Sequence, residues 1–519
     1  MTKVLIEIYG QYIKISSDNL PKLIVTFLPF LNKLMIWGVD KKYNKKFRKM
    51  TFKRKLEKFF YIEEHAMPGL TKSKDCLRIP RTLEKELINY IMAKKNIITE
   101  DILDIVYKKP IEGIVKDIEF RKDITLRDYQ EEYVNAISTT DKNNILVDLY
   151  TGYGKTMIAV NAIVRKRKKF CIAILPTYIP KWVDDITSLT NIKKEEILIL
   201  KGSSSIYKLL ESNNKDLEKY KCFILSIPTF HAFIQSYLTG ELSLYGNYSP
   251  DMIFDKMGIE VLLNDEGHQH FHQVVELSLF ANVKLMLILT ATLITDNRSL
   301  NRIYDLVIPE EQRINNIVKY RPYMHAIGIT YNFKNPKVIK YKTNRGYNQV
   351  KLEQSILKRS DITKNYCDMI DNAVVDYYLK KKKKDSEKVL IYAGTIKMCE
   401  VIRDYLKDKH KDLKITKYTE EDPYEAILNN QVIISTIQSA GVALDIPDLI
   451  TVLQTVNINS PAANEQSRGR LRKLKDNDTW FVFFWSLDIP QHKIYTRNRI
   501  NLFRGKVKEL LHKKYTNRI

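Results

Sequence analysis

The sequence predicts an α/β protein with two tandem domains, each built on a parallel sheet, behind a small basic α/β segment. Three observations carry that expectation. From about residue 125, short apolar runs alternate with amphipathic helical stretches, and the alternation begins afresh after about residue 345. The first hundred residues carry no catalytic signature and hold 21 Lys and Arg against 10 Asp and Glu, an excess of 11. The expected boundaries are 1–95 for a basic accessory domain, 96–124 for a connector, 125–340 for the first sheet domain, and 341–519 for the second with its basic tail.

At 519 residues the chain suffices for roughly two to four domains. No run approaches the ~18 uninterrupted apolar residues of a membrane span, so no membrane partner is expected. The opening "MTKVLIEIYGQYIKI" alternates like a strand and lacks a small-residue cleavage site, so it reads as a poor signal peptide. Cys76, Cys171, Cys222, Cys367 and Cys399 form no C-x-x-C pair, which argues against zinc and disulfides and suits a reducing cytoplasm. A net charge of +24 points to a polyanionic partner, with a generally lysine-rich composition as the alternative.

Within the N-terminal segment, "NKKFRKMTFKRKLEKFFYIEE" (44–64) interleaves cations with Phe and Tyr. A surface that grips a nucleic-acid backbone and stacks on bases has that composition, and so does a solvated basic face. Both readings stay open.

The next runs are "NILVDL" (144–149), "FCIAILP" (170–176), "CFILSIP" (222–228), "IEVLLND" (259–265) and "LMLILTAT" (285–292). Continuous apolar strands separated by helices indicate a parallel sheet buried on both faces. "KVLIYAG" (388–394), "QVIISTI" (431–437), "LITVLQTV" (449–456) and "TWFVFFW" (479–485) repeat the pattern.

The first strand leads into "YTGYGKT", which fits the phosphate-binding pattern G-x-x-x-x-G-K-[ST] except that its first position is Leu149. Gly152 and Gly154 allow a tight turn with inward N–H groups, and the following helix offers its N-terminus to a phosphate. Lys155 would reach the β- and γ-phosphates of ATP, and Thr156 would hold Mg²⁺. Further on, "VLLND" runs into Asp265-Glu266-Gly267-His268. The first carboxylate suits Mg²⁺, and Glu266 suits proton removal from an attacking water. "LTATL" (289–293) and the arginine-rich "NEQSRGRLRK" (464–473) follow in order.

These four motifs in this order resemble the superfamily 2 helicases and translocases of the DExH type, over roughly residues 125–475. In that family the first loop position is often not glycine. The resemblance implies two RecA-like motor domains with ATP and Mg²⁺ bound between them. It assigns Gln130 of "TLRDYQ" to adenine, and Gly441 and Asp445 of "ISTIQSAGVALDIP" to ATP. It sets Thr177 and Lys181 of "LPTYIPKW", Thr395 and Thr436 on the nucleic-acid side. His268, Thr290 and Thr292 would couple the two sites. Gln466 would sense the γ-phosphate and Arg470 would act as arginine finger. The family's second arginine falls at Lys473, with Arg472 beside it, and lysine lacks the planar two-point contact of a guanidinium.

Two motor domains behind a small basic domain resemble the phage UvsW-like and RecG-like group, which remodels branched or forked DNA. The resemblance implies fork regression, Holliday-junction migration and D-loop or R-loop unwinding in recombination, repair or replication. A duplex DNA translocase and an RNA helicase are the alternatives.

Overall fold

The computed structural model describes residues 3–44, 49–63, 76–94, 103–115, 117–149, 152–238, 248–267, 270–290, 298–315, 322–344, 346–419, 422–423, 425–437, 439, 446–474 and 476–519. The chain divides into two compact units: the first runs to residue 317 apart from residues 150–153, and the second runs on from residue 318. Among the described residues no helix is long and apolar enough to cross a membrane, and all five cysteines are free and buried.

The first unit opens with β1 (Val4–Ile8), β2 (Tyr12–Ser17), β3 (Met35–Asn44), β4 (Lys49–Lys58), β5 (Tyr61–Glu63), β6 (Cys76–Pro80) and β7 (Leu103–Tyr107). Five of these form a mixed sheet in the order β5-β6-β2-β1-β7, antiparallel except for the β1–β7 pair. Among the described residues the other two, β3 and β4, pair only with each other, as a two-stranded antiparallel ribbon. The small basic α/β segment is therefore present, but the expected connector is not wholly a connector. Its "LDIVY" is the edge strand β7, too short and too exposed to leave a clear apolar signature.

A seven-stranded, all-parallel sheet follows: β8 (Asn144–Asp148), β9 (Phe170–Ile174), β10 (Ile197–Leu200), β11 (Cys222–Ser226), β12 (Val261–Asn264), β13 (Leu285–Thr290) and β14 (Arg313–Asn315). Their order is β10-β11-β9-β12-β13-β8-β14. The N-terminal segment does not have a core of its own. Ile6, Ile13, Phe27 and Leu77 belong to one apolar cluster with Phe230, Phe254, Phe280 and Met286. Polar ties reinforce it: Gln11 Nε2 donates to Asn143 O (2.9 Å) and Val283 O (3.0 Å), and Gly10 N–H donates to Asn282 Oδ1 (2.9 Å).

The second unit begins with β15 (Met324–Tyr331), which lies inside the second sheet, so the division falls near 317 rather than at 340. The Gly, His and Thr of "MHAIGITY" break the apolar run that marks the other strands. After the short hairpin of β16 (Lys342–Thr343) and β17 (Gly346–Tyr347) come β18 (Lys388–Ala393), β19 (Ile415–Tyr418), β20 (Val432–Thr436), β21 (Leu449–Gln454), β22 (Thr479–Ser486) and β23 (Glu509–Lys514). The sheet is again seven-stranded and all parallel, in the order β19-β20-β18-β21-β22-β15-β23. Val389, Ile391 and Ala393 of β18 feed one apolar cluster while Leu390 and Tyr392 feed another. A strand covered on both faces needs apolar residues at every position, which is why these strands read as unbroken runs. The two sheets with their helices are tandem RecA-like α/β domains.

The basic C-terminal stretch is more than a tail. It forms the helix Pro490–Phe503, which buries His492 and Arg499, and then the edge strand β23.

Candidate functional site

The site on the first unit is built at the C-terminal ends of β8, β12 and β13. Leu149, where the loop pattern has glycine, is buried, and its N–H donates to Thr290 O (3.1 Å). It simply extends β8, so this position has no need of glycine. The turn comes later, with φ at 87° for Gly152 and 82° for Gly154. Gly154 caps the helix Lys155–Lys166, placing Lys155 and Thr156 in its first turn. The first amides of a helix have no internal partners and carry the positive end of its dipole, which suits a phosphate.

Gln130 is buried against this loop: a Cβ at Gly154 would overlap its side-chain amide. Its Oε1 accepts from Arg127 N–H (3.0 Å), fixing the amide orientation. Gln130 therefore supports the phosphate loop, and its role at adenine is carried by the resemblance alone.

Across from the loop, Lys155 Nζ lies 3.5 Å from Glu266 Oε1. Glu266 holds a left-handed φ of 50°, which costs a side-chain-bearing residue about 1–2 kcal/mol. The turn is held by Asp265 Oδ1, which accepts Glu266 N–H (2.9 Å), and by Gly267 N–H donating to Leu289 O (3.2 Å). Gly267 is needed for close approach, since a Cβ there would sit 2.6 Å from Ile288 Cγ2. Burial and the neighbouring Glu266 carboxylate push Asp265 up to about 6, against the pull of Lys155, Lys181 and the Trp182 N–H. Two carboxylates crowded in this way are relieved by a divalent cation, so the donor set fits Mg²⁺.

The sequence reading missed Trp182. It is 1% exposed, and its indole Nε1 donates to Asp265 Oδ2 (3.1 Å). The only signal was a tryptophan inside a motif quoted for its threonine and lysine. Thr177 and Lys181 of that motif are exposed, on the turn Pro176–Tyr178 and the helix Ile179–Leu189 that carries Trp182. Thr290 is fully buried at the end of β13, next to Asp148 in register.

On the second unit, Thr395 caps the helix Ile396–Lys409, its Oγ1 accepting from Met398 N–H (3.2 Å). The same hydroxyl donates to Glu353 Oε2 (2.7 Å), and Gly394 N–H donates to Glu353 Oε1 (2.7 Å). Glu353 is fully buried, and burial raises its carboxyl above the ordinary range. It orients the Thr395 turn, and no sequence pattern announced it. Thr436 ends β20, with its Oγ1 2.8 Å from Ser439 Oγ.

Gln466 lies half-buried on the helix Pro461–Arg468. The two arginines of "QSRGR" separate clearly. Arg468 is buried and paired with Glu465 (2.6 Å), whereas Arg470 is half-buried and hydrogen-bonds the Tyr392 hydroxyl. Lys473 is exposed and Arg472 half-buried. His268, Thr292, Gly441 and Asp445 lie outside the described residues.

A parallel sheet that presents a glycine turn, a Lys–Thr pair on a helix N-terminus and an Asp–Glu pair on a neighbouring strand end has the parts of a nucleotide-hydrolysing motor. Residues 123–295 match the family model for the type III restriction enzyme, res subunit, a superfamily 2 helicase-type domain. That segment is about a third of the chain and includes every first-unit site residue named above. The match supports ATP-dependent helicase or translocase activity on nucleic acid in general, and domains of this type use ATP with Mg²⁺. No curated protein matches the chain.

Proposed function

We propose that the chain is an ATP-driven DNA helicase that remodels branched DNA, by fork regression, junction migration and D-loop or R-loop unwinding. The motor part of this reading is carried by the Lys155–Glu266–Asp265 constellation beside the Gly154 turn. The branched-DNA part is supported by a basic α/β segment built into the core of the first motor rather than tethered to it.

Bound ATP and Mg²⁺ would supply the scissile phosphoanhydride and the charge that neutralises its oxygens. Lys155 Nζ would bind phosphate oxygens, while Thr156 Oγ1 and the Asp265 carboxylate would hold the cation. A Glu266 carboxylate oxygen would take the proton of the attacking water. Arg470 would act as arginine finger, a role worth roughly 10³–10⁵ in rate, with Gln466 as γ-phosphate sensor. Thr177, Lys181, Thr395 and Thr436 would grip backbone, so binding should tolerate sequence and weaken with salt.

A second reading is a duplex translocase that does not separate strands, since the family match supports helicase and translocase activity alike. ATP hydrolysis measured at one salt concentration with linear duplex, single strand, fork, four-way junction and RNA tests both. Preference for forks and junctions supports branch remodelling. Equal stimulation by linear duplex replaces it with translocation, and stimulation by RNA alone overturns the DNA assignment.

A further inference from the structure

The β3–β4 ribbon carries an exposed tryptophan that nothing in the motor explains. In an antiparallel pair, directly opposed residues share a face and alternate residues switch faces. Trp37 opposes Leu56, Met35 opposes Lys58, and Arg54 lies two residues from Leu56, so all five share one face. Trp37 is 69% exposed, and Arg54 and Lys58 are exposed as well. At ~3.3 Å per residue the two cations stand about 13 Å apart along β4, with the indole between them across the ribbon.

The acid at this end of the ribbon is on the other face. Glu57 opposes Ile36, and its carboxylate lies over Gly38. Among the described side chains, the Trp37 face therefore combines an open aromatic surface with two cations and no carboxylate. By sequence the twenty residues of the ribbon hold seven Lys and Arg against two acids, a net charge of +5. At its base the ribbon is fixed. Phe59 packs against Phe271 (6.0 Å) and His272 (5.1 Å), and His272 Nε2 lies 3.0 Å from Lys58 O. These two belong to the helix Phe271–Ser278, which starts five residues after Glu266.

We propose that this face is a binding platform for single-stranded nucleic acid, with a base stacked on Trp37 and the backbone held by Arg54 and Lys58. A flat exposed indole needs an unstacked base, which a continuous duplex withholds and a single strand offers. The proposal deepens the motor reading and rests on it only for the choice of nucleic acid as ligand.

Intrinsic tryptophan fluorescence reads the contact directly, because Trp182 is buried and Trp480 and Trp485 are half-buried. The full chain, without nucleotide and at low salt, is titrated with a deoxyuridylate oligonucleotide, a uridylate oligonucleotide and a blunt duplex. Labelled oligonucleotide anisotropy gives the affinity. Saturable quenching by a single strand but not by the duplex is expected, and the stronger of the two oligonucleotides identifies the sugar. Trp37→Phe should lose the quenching and bind within about twofold, whereas Trp37→Ala should bind about tenfold more weakly. Arg54→Ala with Lys58→Ala should flatten the salt dependence by about 1.4 in slope, for two contacts at ~0.7 each. Unchanged affinity in Trp37→Ala, quenching that survives Trp37→Phe, or equal quenching by the duplex overturns the proposal. Lys155→Ala should quench like the wild type. Quenching without any ATP hydrolysis would sink the motor and leave the platform, and hydrolysis without Trp37-dependent binding would do the reverse.

Discussion

The Trp182 indole N–H donates to Asp265 Oδ2 at 3.1 Å, tying the helix that carries Lys181 to the carboxylate proposed to hold Mg²⁺. A hydrogen bond to a charged group is worth about 1.5–3 kcal/mol, and this one favours the ionised form of a carboxyl that burial and Glu266 push the other way. Trp182→Phe keeps the ring in its pocket and removes the donor. The half-saturating Mg²⁺ concentration for ATP hydrolysis should rise about tenfold, with unfolding little changed. Mg²⁺ dependence identical to wild type would show that the indole is packing alone.

Glu266→Gln keeps the volume and the left-handed turn but removes the proposed proton acceptor. Hydrolysis should fall by about 10²-fold or more while nucleic-acid binding is retained. Lys155→Ala should be as inactive for a different reason. It removes the proposed phosphate ligand and also the cation 3.5 Å from Glu266, one of the charges that hold Asp265 down. Steady-state ATPase and filter binding on the same preparations separate the two effects, and turnover surviving in either variant would sink the assigned chemistry.

Arg78 ties the N-terminal sheet to the first motor. Its Nη1 and Nη2 donate to the two Asp251 oxygens (2.6 and 2.7 Å), and Nη1 also donates to Leu279 O (3.2 Å). The guanidinium lies between the rings of Tyr12 and Phe280, 5.0 and 4.6 Å away, and is 2% exposed. Arg78→Ala leaves Asp251 and Glu63 without their cation, and breaking a buried pair from one side costs about 3–5 kcal/mol. Its urea midpoint should drop clearly, whereas Arg121→Ala, at an exposed pair with Asp123, should change nothing measurable. For the same reason, deleting residues 1–95 should yield aggregated protein, because it would uncover the shared apolar cluster.

Much of this architecture was legible because a strand buried on both faces must be apolar at every position. The runs from Ile145 and Val389 onward therefore declared themselves, while β15, β19 and β23, with polar or exposed positions, did not. The glycine turn and the Asp265–Glu266 pair were legible because phosphate and metal chemistry fix both residue type and spacing. Trp182 and Glu353 were not, since each acts through a contact between residues 83 and 42 positions apart. The core shared by Ile6 and Leu77 with Phe230 and Phe280 was not legible either, because a composition shift marks where charge changes, not where a core ends.

His492 makes the second unit acid-sensitive. It is fully buried in the helix Pro490–Phe503, and its Nδ1 accepts Ser486 N–H (3.0 Å). That leaves Nε2–H to donate to the Tyr347 hydroxyl (2.8 Å), which in turn donates to Gln349 Oε1 (2.5 Å). Only the neutral ring satisfies this chain. Burial, with the Arg499 guanidinium adding to it, pushes His492 from 6.5 down to about 3. Because the folded value lies below the unfolded one, this contribution is complete above pH 6.5 and is lost as pH falls from there towards 3. At about 1.4 kcal/mol per pH unit, the unit should be about 2 kcal/mol less stable at pH 5 than at neutral pH on this account. His492→Gln should begin less stable at pH 7.5 but lose about that much less on acidification, read as the difference in urea midpoints between the two pH values. Equal acid losses in wild type and variant would show that His492 carries no linkage.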